Sequence, residues 1–203
     1  MLRAVFAFTA VVVSLPATAS SQAQRGANSV PALSAVAARA AQEPKIDGRN
    51  DDPVWQTATK YSEFRQFQPR LDTTPSLKTE FQAAFDEKNL YVFLRMYDPH
   101  PDSIMRALSR RDVRGPSDQI KVLIDSYGDK RTGFEFAVNP DGVKRDYTIV
   151  NDGQEDGSWD GIWDVATMVD SLGWTAEFRI PLSQLRYARA ASHTFGFGVW
   201  RDI

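Results

Sequence analysis

The stretch 77–98, LKTEFQAAFDEKNLYVFLRMYD, constrains the fold more than any other part of the chain. Two runs of strand-forming residues flank Asp86-Glu87-Lys88-Asn89, a turn-prone tetrad in which Asn89 tolerates a positive φ. In the first run Phe81, Ala83 and Phe85 share a face. In the second, Leu90, Val92, Leu94 and Met96 share one face and Tyr91, Phe93, Arg95 and Tyr97 the other. A period of two sustained over this length reads as a β-hairpin. Its aliphatic side is expected to meet a second sheet. Its aromatic and cationic side is expected to be partly open, with Tyr91 and Arg95 as candidate ligand contacts.

The alternation recurs at 61–68, 118–125 (DQIKVLID), 132–139 (TGFEFAVN), 145–150, 163–170, 174–180 and 193–202, and a short strand is expected at 44–48. Pro140-Asp141-Gly142 and Ser171-Leu172-Gly173 supply turns between them. Residues 51–55 read as one helical turn, with Asp51 or Asp52 as cap, Pro53 near its first position and Trp55 on its buried side. Residues 181–185 read as a second. About nine short strands at roughly ten-residue spacing predict an all-β fold: an antiparallel β-sandwich, jelly-roll-like, with one or two short helical turns.

The ends of the chain read differently. Met1 and Arg3 precede an apolar run at 4–15, then Pro16 and Ala17-Thr18-Ala19, the layout of a secretory signal peptide over 1–19. The run is shorter than the about 20 apolar residues a spanning helix needs. Residues 20–43, rich in Ala, Ser and Gln, read as a flexible linker, and 44–203 as the folded domain. The protein is therefore expected to be secreted: periplasmic, outer-membrane-associated or extracellular. It has no cysteine, so neither disulfides nor a cysteine-linked lipid can hold it. A domain of roughly 160 residues buries enough surface to stand on its own core. With 24 basic and 26 acidic residues interspersed and a net charge of −2, there is no basic block to hold nucleic acid.

Trp159 and Trp163 flank the polar loop 151–161, NDGQEDGSWDG. An indole face stacks on the apolar face of a sugar ring while neighbouring polar groups bond its hydroxyls. The two tryptophans are thus candidate carbohydrate contacts, the alternative being that either ring caps the sandwich; Arg111 is a further candidate contact, a solvated loop or a contact to a downstream region being its alternatives. Asp152, Asp156 and Asp160 fall at oxygen-rich positions of a calcium loop, but its twelfth position is Trp163 rather than glutamate. Ca2+ is a candidate ligand there, a solvated turn the alternative. Tyr91, Arg95, Glu135, Glu177 and Arg179 lie opposite the aliphatic stripes and either line a groove or form a solvated face with cross-strand ion pairs. Trp200 lies opposite a Phe face, at the surface or in an interdomain contact. His100, wedged between prolines, and His193, opening a strand, suggest neither a metal spacing nor a catalytic triad.

Four ordered stretches resemble the family 9 carbohydrate-binding modules, found as appendages of xylanases. They are Lys45-Ile46-Asp47-Gly48 with Asp51, Asp52 and Trp55; Phe85-Asp86-Glu87 through Asn89-Leu90-Tyr91-Val92 to Asp98-Pro99; Asp118-Gln119-Ile120 to Ile124-Asp125; and Gly173-Trp174-Thr175-Ala176-Glu177 through Ile180-Pro181 to Gly196-Phe197. Arg145-Asp146 and Ser158-Trp159-Asp160-Gly161 look more like a bacterial subgroup in which such a domain precedes a β-rich, outer-membrane-like region. The resemblance implies a non-catalytic β-sandwich that binds polysaccharide or oligosaccharide, xylan among them, in polysaccharide catabolism. It also implies a protein continuing into a β-barrel or a glycoside hydrolase domain, so that 44–203 is truncated at its C-terminus. In the family's xylanase modules two tryptophans grip a sugar end. Here Arg114-Gly115-Pro116-Ser117 stands where the first would be, the second falls beyond Ile203, and Ala137 replaces an arginine of the site. The runner-up is therefore a sandwich domain without sugar binding that docks onto a downstream barrel. A glycoside hydrolase acting on its own ranks last.

Overall fold

The computed structural model describes the backbone of residues 2–6 and, in full, residues 34–151, 153–188 and 192–203. In chain order the elements are β1 (Leu2–Phe6), β2 (Ala38–Arg39), α1 (Pro53–Thr57), β3 (Thr79–Phe85), β4 (Asn89–Tyr97), β5 (Gln119–Asp125), β6 (Gly133–Val138), β7 (Lys144–Val150), β8 (Gln154–Asp156), β9 (Asp164–Asp170), β10 (Gly173–Pro181) and β11 (Gly196–Asp202). Short helical turns lie at Pro101–Ser103 and Leu182–Gln184. The strands form two sheets, ordered β1-β11-β5-β6-β7-β8 and β2-β3-β4-β10-β9. Among the described residues only β2–β3 is a parallel pair. This is the expected all-β sandwich.

The hairpin forms with Phe85 opposite Leu90 and Thr79 opposite Met96. Its turn is closed by a side chain, not by a left-handed Asn89. Asp86 Oδ1 accepts the N–H groups of Lys88 and Asn89, each at 2.7 Å. Val92, Leu94 and Met96 enter the inter-sheet core with Phe81, Ile120, Val122, Phe136, Phe178 and Val199. Period two delivers this: each strand offers one apolar face, and two such faces bury each other.

Three expected boundaries move. The linker reading of 20–43 does not hold at its end, because Ala38–Arg39 adds to β3 and Ala35 and Ala40 are buried. Residues 61–68 make only the isolated bridges Tyr61–Phe81 and Gln66–Thr73 rather than a strand, and cis Pro69 follows. Residues 44–48 form a turn, not a strand, because their N–H groups are drawn to a side chain of β10.

Candidate functional site

Each sheet has an inner face in the core and an outer face, and the outer faces differ. On the five-stranded sheet, β4 and β10 turn Tyr91, Phe93, Thr175 and Glu177 outward, and the N-terminal segment covers them. Glu177 is fully buried and accepts three N–H groups: Trp55 Nε1 at 2.8 Å and the backbone of Asp47 and Gly48 at 3.0 Å each. Thr175 Oγ1 donates to Gly48 O at 2.7 Å. Gly48 sits at φ +79°, and a Cβ there would lie 3.1 Å from the carbonyl carbon of Thr167, so the turn needs glycine twice over. Burial outweighs the three donors and pushes the Glu177 carboxyl up to about 7. Trp55, Val54 and Ala58 then pack on Tyr91 and Phe93 as a second small core.

This closes the face expected to be partly open. Tyr91 is buried, its hydroxyl donating to Asp86 Oδ2 at 2.6 Å, and burial raises its phenol pKa. Arg95 Nη1 grips both oxygens of Asp170, at 2.8 and 2.7 Å. Arg179 pairs with Asp164 and Glu43. Tyr91, Glu177 and Arg179 border no cleft on this face; Arg95 does, with Lys60, Glu80 and Tyr97 around a small cleft.

The loop tryptophans both pack on the sandwich. Trp163 is buried, stacked on Phe178 at 5.6 Å and 5° between planes. Trp159, half-buried, packs on Phe134 at 5.0 Å and Phe136 at 5.7 Å. Both seal the sandwich where β6 and β7 leave its interior, and burying such a ring stabilises by about 4–6 kcal/mol. Asp146, 1 % exposed, holds the loop: it accepts Gly161 N at 2.6 Å, Arg111 Nη2 at 2.6 Å and Trp163 Nε1 at 3.1 Å. Arg111 also reaches Gly161 O at 2.8 Å and Asp160 Oδ1 at 2.6 Å, so it positions the loop. Of the calcium candidates, Asp160 is taken by Arg111, Asp156 Oδ1 accepts Ser158 N at 2.9 Å, and Asp152 lies outside the described residues. Among the described residues no three His, Cys, Asp or Glu side chains are grouped to hold a metal ion.

The six-stranded sheet turns the other way. Ile120, Val122, Phe134 and Phe136 point into the core, so Gln119, Lys121, Glu135, Ala137, Arg145 and Tyr147 point outward. Trp200, Lys121, Ala137 and Arg145 form one cross-strand row. Lys121 Nζ lies 3.3 Å from Glu135 Oε1. Arg145 Nη1 donates to Gln119 Oε1 at 3.1 Å and Nε to the Tyr147 hydroxyl at 2.9 Å. Burial raises the Glu135 carboxyl even with Lys121 beside it. Trp200 is half-buried and lies back over Gly198: a Cβ there would stand 2.9 Å from the indole ring. An indole lying along a sheet surface offers its face outward. The face therefore sets the half-buried Trp200 indole beside donors and acceptors that pair with one another over the fully buried Ala137. Sequence reasoning placed Glu135 here as a candidate but passed over Gln119, Lys121, Arg145 and Tyr147. A readable signal was the alternation Gly196-Phe197-Gly198-Val199-Trp200, which puts a glycine beside the tryptophan on one face.

The family described as "Carbohydrate family 9 binding domain-like" matches residues 46–201. Among solved structures, the chain is similar to a family 9 carbohydrate-binding module of Caldicellulosiruptor kristjanssonii in complex with cellotriose. The TM-score is 0.55 and the identity 17 %, over 82 % of each chain. The same organism's module in complex with glucose gives a TM-score of 0.53 and 18 % identity, over 82 % of this chain and 83 % of that one. No curated protein sequence matches the chain.

Proposed function

The chain belongs to the carbohydrate family 9 binding domain-like family, and from that membership we propose that it is a non-catalytic module that holds a glycan against the outer face of its six-stranded sheet. The observation that carries the proposal is Trp200 lying over Gly198 in one row with Lys121, Ala137 and Arg145. Carbohydrate recognition asks for an aromatic platform with convergent, preorganised polar groups. The groups here hold hydroxyls; they do not form a nucleophile and base. Across three strand spacings of about 4.7–4.9 Å the row spans about 14 Å, longer than one sugar ring, which favours an oligosaccharide. The solved neighbours in complex with cellotriose and glucose support a sugar as ligand class.

Affinity electrophoresis on xylan, cellulose and soluble β-glucan, followed by calorimetry on the retarded glycan, tests this. Retardation lost in Trp200→Ala with an unchanged melting temperature is expected. No retardation on any glycan overturns the proposal.

We read residues 1–19 as an export leader, which puts the mature domain outside the cytoplasm in polysaccharide capture. β1 lies inside that leader and pairs along β11 from Leu2–Arg201 to Phe6–Phe197. Removal of the leader leaves β11 as the sheet edge. The intact mass of the exported protein tests the cut after Ala19.

A second reading, docking onto a β-barrel region of the same protein, is favoured by exposed Met105, Leu108 and Val113 on one segment. Leu108→Asp separates the two: it leaves glycan binding intact and weakens docking.

A further inference from the structure

We propose that a cleft at the rim of the six-stranded face takes the carboxylate of an acidic sugar, a hexuronic acid unit, on the guanidinium of Arg145. This rests on the sugar-binding reading and names its ligand class. The cleft lies where the loop carrying Arg114 and Ser117 meets Asp118, Gln119, Asn139 and Arg145. Its floor is built and buried: Asp118 is 2 % exposed, Gln119 5 %, and Asn139 and Arg145 6 % each.

Arg145 is a buried cation whose partners are neutral. Nη1 donates to Gln119 Oε1, and Nε and Nη2 both donate to the Tyr147 hydroxyl. Among the described residues no carboxylate lies within 4.0 Å of it, whereas Arg95, Arg111, Arg114 and Arg179 each have one. Burying a charge without a counter-charge is costly, and an arriving anion relieves the cost. A guanidinium has five N–H bonds. Three are used, which leaves one on each Nη free to donate to an arriving carboxylate.

Size separates a carboxylate from a whole sugar. The cleft holds about 10 Å³, room for one water-sized group. It admits one oxygen of a carboxylate projecting from a ring that itself lies outside the cleft. Asp118, the carboxylate on the cleft wall, has its Oδ2 buried without a hydrogen-bond partner. Burial raises its pKa, and its counter-charge is Arg201 within the core, not Arg145. Arg114, on the rim, is paired with Asp202 at 3.3 Å, so Arg145 is the cleft cation that has no ion-pair partner among the described residues, Glu135 acting on it only at longer range.

The test is calorimetry of the whole chain with a xylo-oligosaccharide bearing glucuronic acid, with an oligogalacturonide, and with the carboxyl-reduced form of each. At least tenfold tighter binding of one acid over its own reduced form is expected, the preference shrinking as salt rises. Arg145→Met is expected to abolish the preference and keep the neutral affinity. Arg145→Lys, which keeps the charge without the guanidinium, is expected to retain part of it and covers the case in which Arg145→Met does not fold. Equal binding of acidic and reduced forms overturns this inference and leaves the sugar-binding reading standing. No binding of any form overturns both. A preference that survives Arg145→Met overturns the assignment to this residue.

Discussion

The two outer faces of the sandwich begin from the same pattern and end with opposite roles. On both, period-two strands place aromatic and charged side chains opposite an aliphatic stripe. On the five-stranded sheet those side chains receive a cover: Glu177 anchors the 45–48 turn and Trp55, and Tyr91 and Phe93 become a second core. On the six-stranded sheet Gln119, Lys121, Glu135 and Arg145 answer one another in pairs, and Trp200 lies along the surface. A polar stripe on a strand is thus either an anchor for distant chain or a ligand floor, and a buried carboxylate that accepts backbone N–H groups marks the first.

The largest expected effect breaks the closed face. Glu177→Ala leaves three donors without their acceptor, each costing about 1–3 kcal/mol when buried, or about 3–9 kcal/mol together. That approaches the whole stability of a small domain. Urea unfolding measures it, and a loss under about 1 kcal/mol would show that Glu177 does not hold the cover. Asp146→Asn is next, at about 2–3 kcal/mol, because a charge-assisted bond to Arg111 is lost and an amide N–H₂ faces a donor. The same unfolding curves read it, and tryptophan fluorescence reports Trp159 and Trp163 moving toward water.

The pH dependence sharpens the comparison. The Glu177 carboxyl titrates at about 7 folded, against 4.5 ordinarily. Between those values the folded state holds a proton that the unfolded chain has released. The contribution is therefore fully present below 4.5 and is lost as pH rises through about 7, on the order of 1–3 kcal/mol. Unfolding free energies at pH 4.5, 6 and 8 check the slope, and in Glu177→Ala it should flatten. Asp86 and Asp170, whose carboxyls are lowered, act the opposite way and only at more acidic pH.

On the open face the effect moves from stability to binding. Trp200→Ala should weaken glycan binding about tenfold, or about 1.4 kcal/mol, and shift stability by less than about 1 kcal/mol. Gly198→Ala should copy it by lifting the indole. The smallest effect belongs to the surface pair Arg179–Asp164: Arg179→Ala should cost at most about 1 kcal/mol in unfolding, less in high salt.

The hairpin, β5, β6, β10 and β11 were legible because alternation is local and strong. Less was legible where distant chain intervenes. Nothing local to Tyr91 or Arg95 says that they will be covered or paired; Asp47 reaches Glu177 across 130 residues, and Arg95 reaches Asp170 across 75. The tryptophans show the same limit. Trp159 and Trp163 flank a polar loop and read as sugar contacts or as caps of the sandwich; Asp146 draws the loop inward, burying Trp163 and leaving Trp159 half-buried. Trp200 stands in a strand and read as surface or interdomain, and the way its half-buried ring lies depends on Gly198 being its neighbour in the fold.

The sequence by itself determined that the chain is a sandwich, which faces of its strands are apolar, where its main turns fall, and which family its motifs resemble. These follow from side-chain period and backbone preference, which act over a few residues. The tertiary structure alone decided which outer face is covered by distant chain, which carboxylate is an anchor, and that buried Arg145 has only neutral hydrogen-bond partners. Those depend on the packing of segments a hundred residues apart, and burial, hydrogen bonding and charge compensation take their values only once the packing exists.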